Sequence, residues 1–145
     1  MLADFSFHHI GIAVHQIDKT VGIYLNSGFS KTETIIDPVQ NVRICFLKKE
    51  NTPLYELIEP LDEASPVSNI LKKTGVSPYH ICYEVPDLNL AIANLKLMKY
   101  IVLQSPVPAK ALDNRKISFL FHKDTGLIEL LEKEKTKNEV IHSQE

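Results

Sequence analysis

The 145 residues are 44% hydrophobic and 23% charged, with a formal net charge of −2. That is enough apolar material for one globular domain with a real core, and it lacks the basic footprint that nucleic-acid binding requires. Two cysteines, Cys45 and Cys82, are too few for a disulfide framework and read as free thiols in core or wall positions.

The first six residues contain no apolar run long enough for a signal peptide or membrane span, so a cytoplasmic location with no membrane attachment is expected. Phe7 to Val14 alternates as a strand, placing Ile10, Ile12 and Val14 on one face and His9, Gly11 and Ala13 on the other. Gln16 to Asn26 predicts a helix, with Ile17, Val21 and Tyr24 at helical spacing and Gly28 as its stop. Phe29 to Ile36 reads as a second strand, ended by Asp37-Pro38. Val42 to Lys48 is a third, and Leu54 to Glu59 a fourth, beyond the turn-forming Glu50-Asn51-Thr52-Pro53.

A connector from Leu61 to Ser77 holds Ser65-Pro66 ahead of an apolar spacing, which predicts a short helix. Then come a strand (Tyr79 to Val85), a helix (Asn89 to Met98) and three strands (Tyr100 to Gln104, Lys116 to Phe121, Gly126 to Leu131). Beyond Glu132 the chain is mostly charged or polar, so residues 134–145 are expected to form a frayed polar tail.

The second half repeats the first. His8-His9-Ile10-Gly11-Ile12-Ala13-Val14 lies over Tyr79-His80-Ile81-Cys82-Tyr83-Glu84-Val85 at an offset of 71, from residue 9 to residue 80. Tyr55-Glu56-Leu57-Ile58-Glu59 lies over Ile128-Glu129-Leu130-Leu131-Glu132 at an offset of 73, as does the strand around Ile44 over that around Ile117. The expected fold is therefore α+β. A single domain over residues 1–133 is made of two βαβββ modules, 7–61 and 79–132, joined by the connector helix and paired about a pseudo-twofold axis into one cupped mixed sheet.

Each module carries one histidine near its start and one glutamate near its end. A lone buried histidine is more often a hydrogen-bonded core residue than a ligand, and a lone strand glutamate usually meets water. The pairs together read differently, because two carboxylates buried among apolar strands are costly unless a cation neutralises them. His9, Glu56, His80 and Glu129 are accordingly the expected metal ligands. His8 falls on the opposite strand face by parity and reads as packing or as a support behind the ligands. His15, His122 and His142 have no repeat partner and read as surface, and Glu59 and Glu132 are expected to face water.

These motifs, with Glu59-Pro60, Ser65-Pro66-Val67 and Phe119 to Leu130, resemble the vicinal oxygen chelate superfamily, and within it the methylmalonyl-CoA epimerases. The resemblance spans about residues 7 to 132 and puts the same four side chains at the family's metal-ligand positions. It implies a glyoxalase-like fold, a homodimer, and a substrate that is an acyl-CoA thioester. One divalent ion of Co, Ni, Mn, Fe or Zn suits the mixed nitrogen and oxygen donors better than Ca or Mg does. The implied reaction is inversion at C2 of a methyl-branched acyl-CoA by proton removal and return through a metal-stabilised enolate, with Glu56 and Glu129 as the catalytic pair.

The chain departs from that pattern in places. A glutamate that acts as a base on the third strand of some epimerases is replaced by Ile44. Ser77-Pro78-Tyr79 replaces a two-glycine stretch, and Lys123-Asp124-Thr125-Gly126 is a shorter turn than usual. Lys110, Arg115 and Lys116 are basic residues available to coenzyme A phosphates. The alternatives are a lactoylglutathione lyase of the glyoxalase I type on the same four ligands and a metal-free small-molecule-binding member of the superfamily. An extradiol dioxygenase is disfavoured by the fourth ligand, Glu56.

Overall fold

The two copies of the pattern build a single nine-stranded sheet. In the computed structural model, residues 4–134 are described. The first module runs β1 (Ser6–Ala13), α1 (Ile17–Leu25), β2 (Ser30–Lys31), β3 (Ile35–Asp37), β4 (Val42–Lys48) and β5 (Tyr55–Pro60). After α2 (Pro66–Thr74) the second runs β6 (Ser77–Val85), α3 (Leu88–Leu97), β7 (Ile101–Ala109), β8 (Arg115–His122) and β9 (Gly126–Glu132). The strand order is β2-β4-β5-β1-β6-β9-β8-β7, with β3 also paired to β4. β1 and β6 meet antiparallel in the middle, and β5 and β9 flank them in parallel. This is the α+β, glyoxalase-like arrangement expected. The polar tail and His142 lie, apart from residue 134, outside the described residues.

Helices α1 and α3 cover one face of the sheet at repeat-equivalent places. Ile17 and Val21 pack on Val14, Cys45 and Leu57, while Leu88 and Leu95 pack on Val85, Leu120 and Leu130. Each such side chain, taken from water, stabilises the fold by about 1.5–3 kcal/mol. Helix α2 has no counterpart in the repeat. The hydroxyl of Ser65 accepts from the Val67 N–H, Pro66 opens the first turn, and Val67 and Leu71 lie on Val42, Ile44, Phe46 and Ile58 of the opposite, concave face.

Three expectations need correcting. The strand expected over 29–36 is split into β2 and β3, because Thr32 Oγ1 accepts the Phe46 N–H at 2.8 Å and so takes a place in the ladder that backbone would hold. The strand expected to stop at Gln104 runs on to Ala109 through two prolines, which is possible because β7 is the sheet edge and needs no outward N–H. Glu59 does not face water. Its Oε1 accepts the Ile17 N–H at 2.8 Å, so it caps α1 where Gln16 supplies no side-chain bond, and Arg43 Nε sits 3.0 Å from its other oxygen.

The cup is pinned at its rim by Asp37, which is 1% exposed. Its carboxylate accepts from the Val39 and Gln40 backbone, from the Gln40 amide, and from the Lys110 N–H at 3.2 Å. The last of these ties the outer strand of the first module to the 3-10 turn Lys110–Leu112 of the second. No helix among the described residues is long and apolar enough to cross a membrane.

Candidate metal centre

The site lies on the four central strands, on the face away from α1 and α3. In the β1–β6 ladder Phe7 opposes Tyr83 and His9 opposes Cys82, which leaves His8 as an extra residue. Gly11 opposes His80 and Ile12 opposes Pro78, which leaves Tyr79 as another. These two bulge residues are repeat equivalents, each directly before a ligand histidine. A bulge bends its strand and re-aims the side chain next to it. Parity therefore fails at His8: its Nδ1 lies 2.8 Å from His9 Nδ1, beside the site rather than on the far face.

Gly11 and Cys82, also equivalents, form the floor. Gly11 has Glu56 across one ladder and His80 across the other, and Cys82 has Glu129 and His9. The His80 ring rests directly on Gly11, with an added Cβ falling 2.0 Å from its Cε1. Tyr79 and Phe119 hold that ring edge-on at 4.5 and 5.2 Å, and Phe46 does the same for His9 at 5.6 Å.

His9, Glu56, His80 and Glu129 are each no more than 3% exposed. Their donor atoms all lie within 4.8 Å of one another. His9 Nε2 is 3.0 Å from Glu129 Oε1 and 3.4 Å from Glu56 Oε1. His80 Nε2 is 3.4 and 3.7 Å from the same two oxygens, and the two Nε2 atoms are 3.5 Å apart. Donor atoms about 2.1 Å from a common centre stand about 3.0 Å apart at right angles, so this cluster is close to the spacing of a coordination shell. Glu129 Oε1 is buried with no hydrogen-bond partner, a cost that a cation there would remove, and His80 Nδ1 is likewise unpartnered. The residues fit a divalent ion.

Electrostatics without an ion point the same way. Burial alone would lower the pKa of His9, but the Glu56 charge and the short contacts to both glutamates outweigh it and raise it to about 10. Burial works against ionised Glu129, yet the contacts and charges of His80 and His9 hold its pKa well below the ordinary carboxylate range. The site thus holds a proton where a metal ion would put its own charge. Burial and the nearby glutamates raise the Cys82 thiol and the Tyr79 phenol well above their usual values, so both stay protonated. The grouping of His8, His9 and Cys82 shares His9 with the quartet.

Beside the quartet the concave face encloses a cavity of about 360 Å³, which Glu56 enters. Ile44 and Ile58 are its floor, Val67 and Ile70 of α2 one wall, and Phe119 and Leu127 the other. Arg115 is committed to Glu84 and to the Glu132 carbonyl, whereas Lys110 and Lys116 are exposed. His122 is half-buried against the Tyr100 ring rather than on the surface. Sequence reasoning missed Gly11, and the available signal was a glycine inside an otherwise well-formed strand, which marks a close approach.

Residues 8–119 match the Glyoxalase/Bleomycin resistance protein/Dioxygenase superfamily. The chain is 34% identical over 127 residues to a mitochondrial methylmalonyl-CoA epimerase of Homo sapiens, covering 85% of this chain and 71% of the relative. It is 33% identical over 127 residues to an ethylmalonyl-CoA/methylmalonyl-CoA epimerase of Cereibacter sphaeroides, covering 85% and 94%. Among solved structures, a single-substitution variant of methylmalonyl-CoA epimerase of Streptomyces coelicolor in complex with 2-nitronate-propionyl-CoA superposes with a TM-score of 0.78 at 31% identity, over 90% of this chain and 98% of that one.

Proposed function

The chain belongs to the Glyoxalase/Bleomycin resistance protein/Dioxygenase superfamily, and we propose that it is a metal-dependent epimerase that inverts C2 of a branched acyl-CoA thioester. The observation that carries this reading is the convergence of two histidines and two glutamates, one pair from each repeat, on one buried point. Its relatives of similar length include epimerases of methylmalonyl-CoA and ethylmalonyl-CoA.

His9, Glu56, His80 and Glu129 hold a divalent ion of the Co, Ni, Mn, Fe or Zn group. When bound, such an ion supplies Lewis acidity, which lowers the cost of taking a proton from the carbon beside a carbonyl. The remaining work falls to the two carboxylates, since Ile44 offers no base. Glu56 and Glu129 come from opposite modules and approach a substrate from opposite sides of the pseudo-twofold axis. One starts ionised and takes the C2 proton. Its counterpart passes a proton taken from solvent to the other face, and the first releases its own to solvent, so turnover inverts the centre and returns both carboxylates to the ionised state. The apolar walls exclude water from the reacting carbon.

The test is exchange of the C2 proton with deuterated solvent, followed by mass spectrometry, on protein whose metal content has been measured without added metal. Glu56→Gln and Glu129→Gln should each lower exchange by at least about 100-fold, within the range set by removing one general acid–base, while far-UV circular dichroism stays unchanged. Wild-type exchange rates in both variants would refute the assignment. The chain also pairs as a homodimer in this reading. Phe7 and Ile81 remain 50% and 40% exposed on the helix-bearing face, an apolar surface that a second copy would cover, and light scattering at the mass of a monomer would exclude it.

A further inference from the structure

We infer that the cavity beside Glu56 receives an uncharged alkyl chain on C2, so that the preferred substrate carries a C2 substituent several carbons longer than methyl. This rests on the epimerase reading and adds the substrate class to it.

Size is the first argument. The cavity measures about 360 Å³, roughly twelve times the ~30 Å³ that one water occupies in the liquid. Even with C2 and its thioester carbonyl seated beside Glu56, a methyl group, close to a water in size, would fill little of what remains and lose the wall contacts that favour binding.

Chemistry is the second. Ile44 and Ile58 are cross-strand partners, 4% and 3% exposed, and they present a continuous apolar floor where a third-strand carboxylate would have stood. Among the described residues, no lysine, arginine or histidine lines the cavity, and Glu56 is the one charge that enters it. The amides at its edge already donate into the protein: Gln40 to Asp37, Asn41 to Asp62, and Gln104 to the Ser105 carbonyl. An anionic substituent placed there would be desolvated beside a carboxylate with little to receive it. An alkyl chain would meet the walls supplied by Val67, Ile70, Phe119 and Leu127.

The experiment has two arms on the full-length protein. Calorimetric binding of butyryl-, hexanoyl- and octanoyl-CoA reads the cavity without turnover. Affinity should tighten by about fourfold for each added methylene until the space is full. In the exchange assay, 2-butylmalonyl-CoA should exceed 2-methylmalonyl-CoA in kcat/KM by at least about tenfold, three methylenes' worth of burial discounted for ordering the chain. Ile70→Phe, at a half-buried position on α2, should flatten both series. Affinity that is level or falls with chain length overturns the inference and leaves the epimerase reading intact. Absence of exchange at every chain length overturns the epimerase reading, and this inference with it.

Discussion

Replacing Gly11 by alanine tests the construction of the site more sharply than removing a ligand does. The new Cβ would stand 2.0 Å from His80 Cε1, 2.4 Å from Nδ1 and 2.5 Å from Nε2, where ordinary contact begins near 3.4 Å. The ring must therefore retreat by about 1.4 Å. Tyr79 and Phe119 block its sides, so the only direction left is away from the floor, toward the other donor atoms. The backbone at Gly11 has no left-handed φ, so alanine costs nothing there. Overpacking costs about 1–3 kcal/mol, and the loss of unfolded-state freedom returns about 0.4–1 kcal/mol, leaving a net destabilisation of at most about 2.6 kcal/mol. The fold survives. The site does not, because a misplacement of about 1 Å costs on the order of 100-fold in rate. Cobalt titrated against a fluorescent chelator should show affinity weakened by at least about 100-fold, at the upper end of what disturbing a ligand's support does. Metal affinity within threefold of the parent chain, in a variant that unfolds normally, would refute the seating of His80 on Gly11.

Asp37→Ala leaves four donors on both sides of the cup rim without their carboxylate. It should cost about 2–4 kcal/mol in urea unfolding, given about 1–3 kcal/mol for each buried donor left unsatisfied and partial rescue by water; a loss below about 0.5 kcal/mol would show the rim is not held there. In metal-free protein, His9 has its folded pKa raised to about 10 against an unfolded value of 6.5. Its stabilisation is fully present below pH 6.5 and is lost as pH rises through about 10, while that of Glu129, whose pKa is depressed, is lost as pH falls below the ordinary carboxylate range. Denaturant midpoints should therefore fall between pH 7 and pH 10, and a flat or rising profile would contradict the raised imidazole.

Much of this was readable in the order of residues because the chain states its pattern twice. His9 and His80, or Glu56 and Glu129, are unremarkable singly. Their recurrence in matched surroundings while neighbouring positions drift is what separates a ligand from a core residue. The helices α1 and α3 were legible for the same reason, with Ile17 and Val21 answered by Leu88 and Ile92. The failures have one physical origin each. Counting alternation assumes an unbroken ladder, so it lost His8 at a bulge that inserts one residue. Asp37 looks like strand-ending punctuation because its decisive partner, the Lys110 N–H, is 73 residues away. Glu59 sits at a strand end, and only the packed fold shows that a helix N-terminus arrives beside it.

The duplication also explains why a symmetric metal centre can serve an asymmetric reaction. The ligands and the bulges repeat, but what stands behind them does not. On the His9 side the bulge residue is His8, in contact with His9 Nδ1 and within the fields of Arg115 and Glu84, so that side is closed by polar groups. On the His80 side the bulge residue is Tyr79, whose ring packs on His80 and lines the cavity, and His80 Nδ1 has no partner. Helix α2, present once, lies mainly over the first module. One half of the repeat thus orients a ligand while the other shapes the approach of a substrate. Exchanging the bulge residues separates the two roles. His8→Tyr should weaken metal binding, since it removes the group that fixes the His9 ring, by about 10–100-fold. Tyr79→His should weaken metal binding less than His8→Tyr does, since Phe119 still holds the His80 ring, and should raise KM. If both exchanges move metal affinity equally, the two sides are equivalent and the division of labour is wrong.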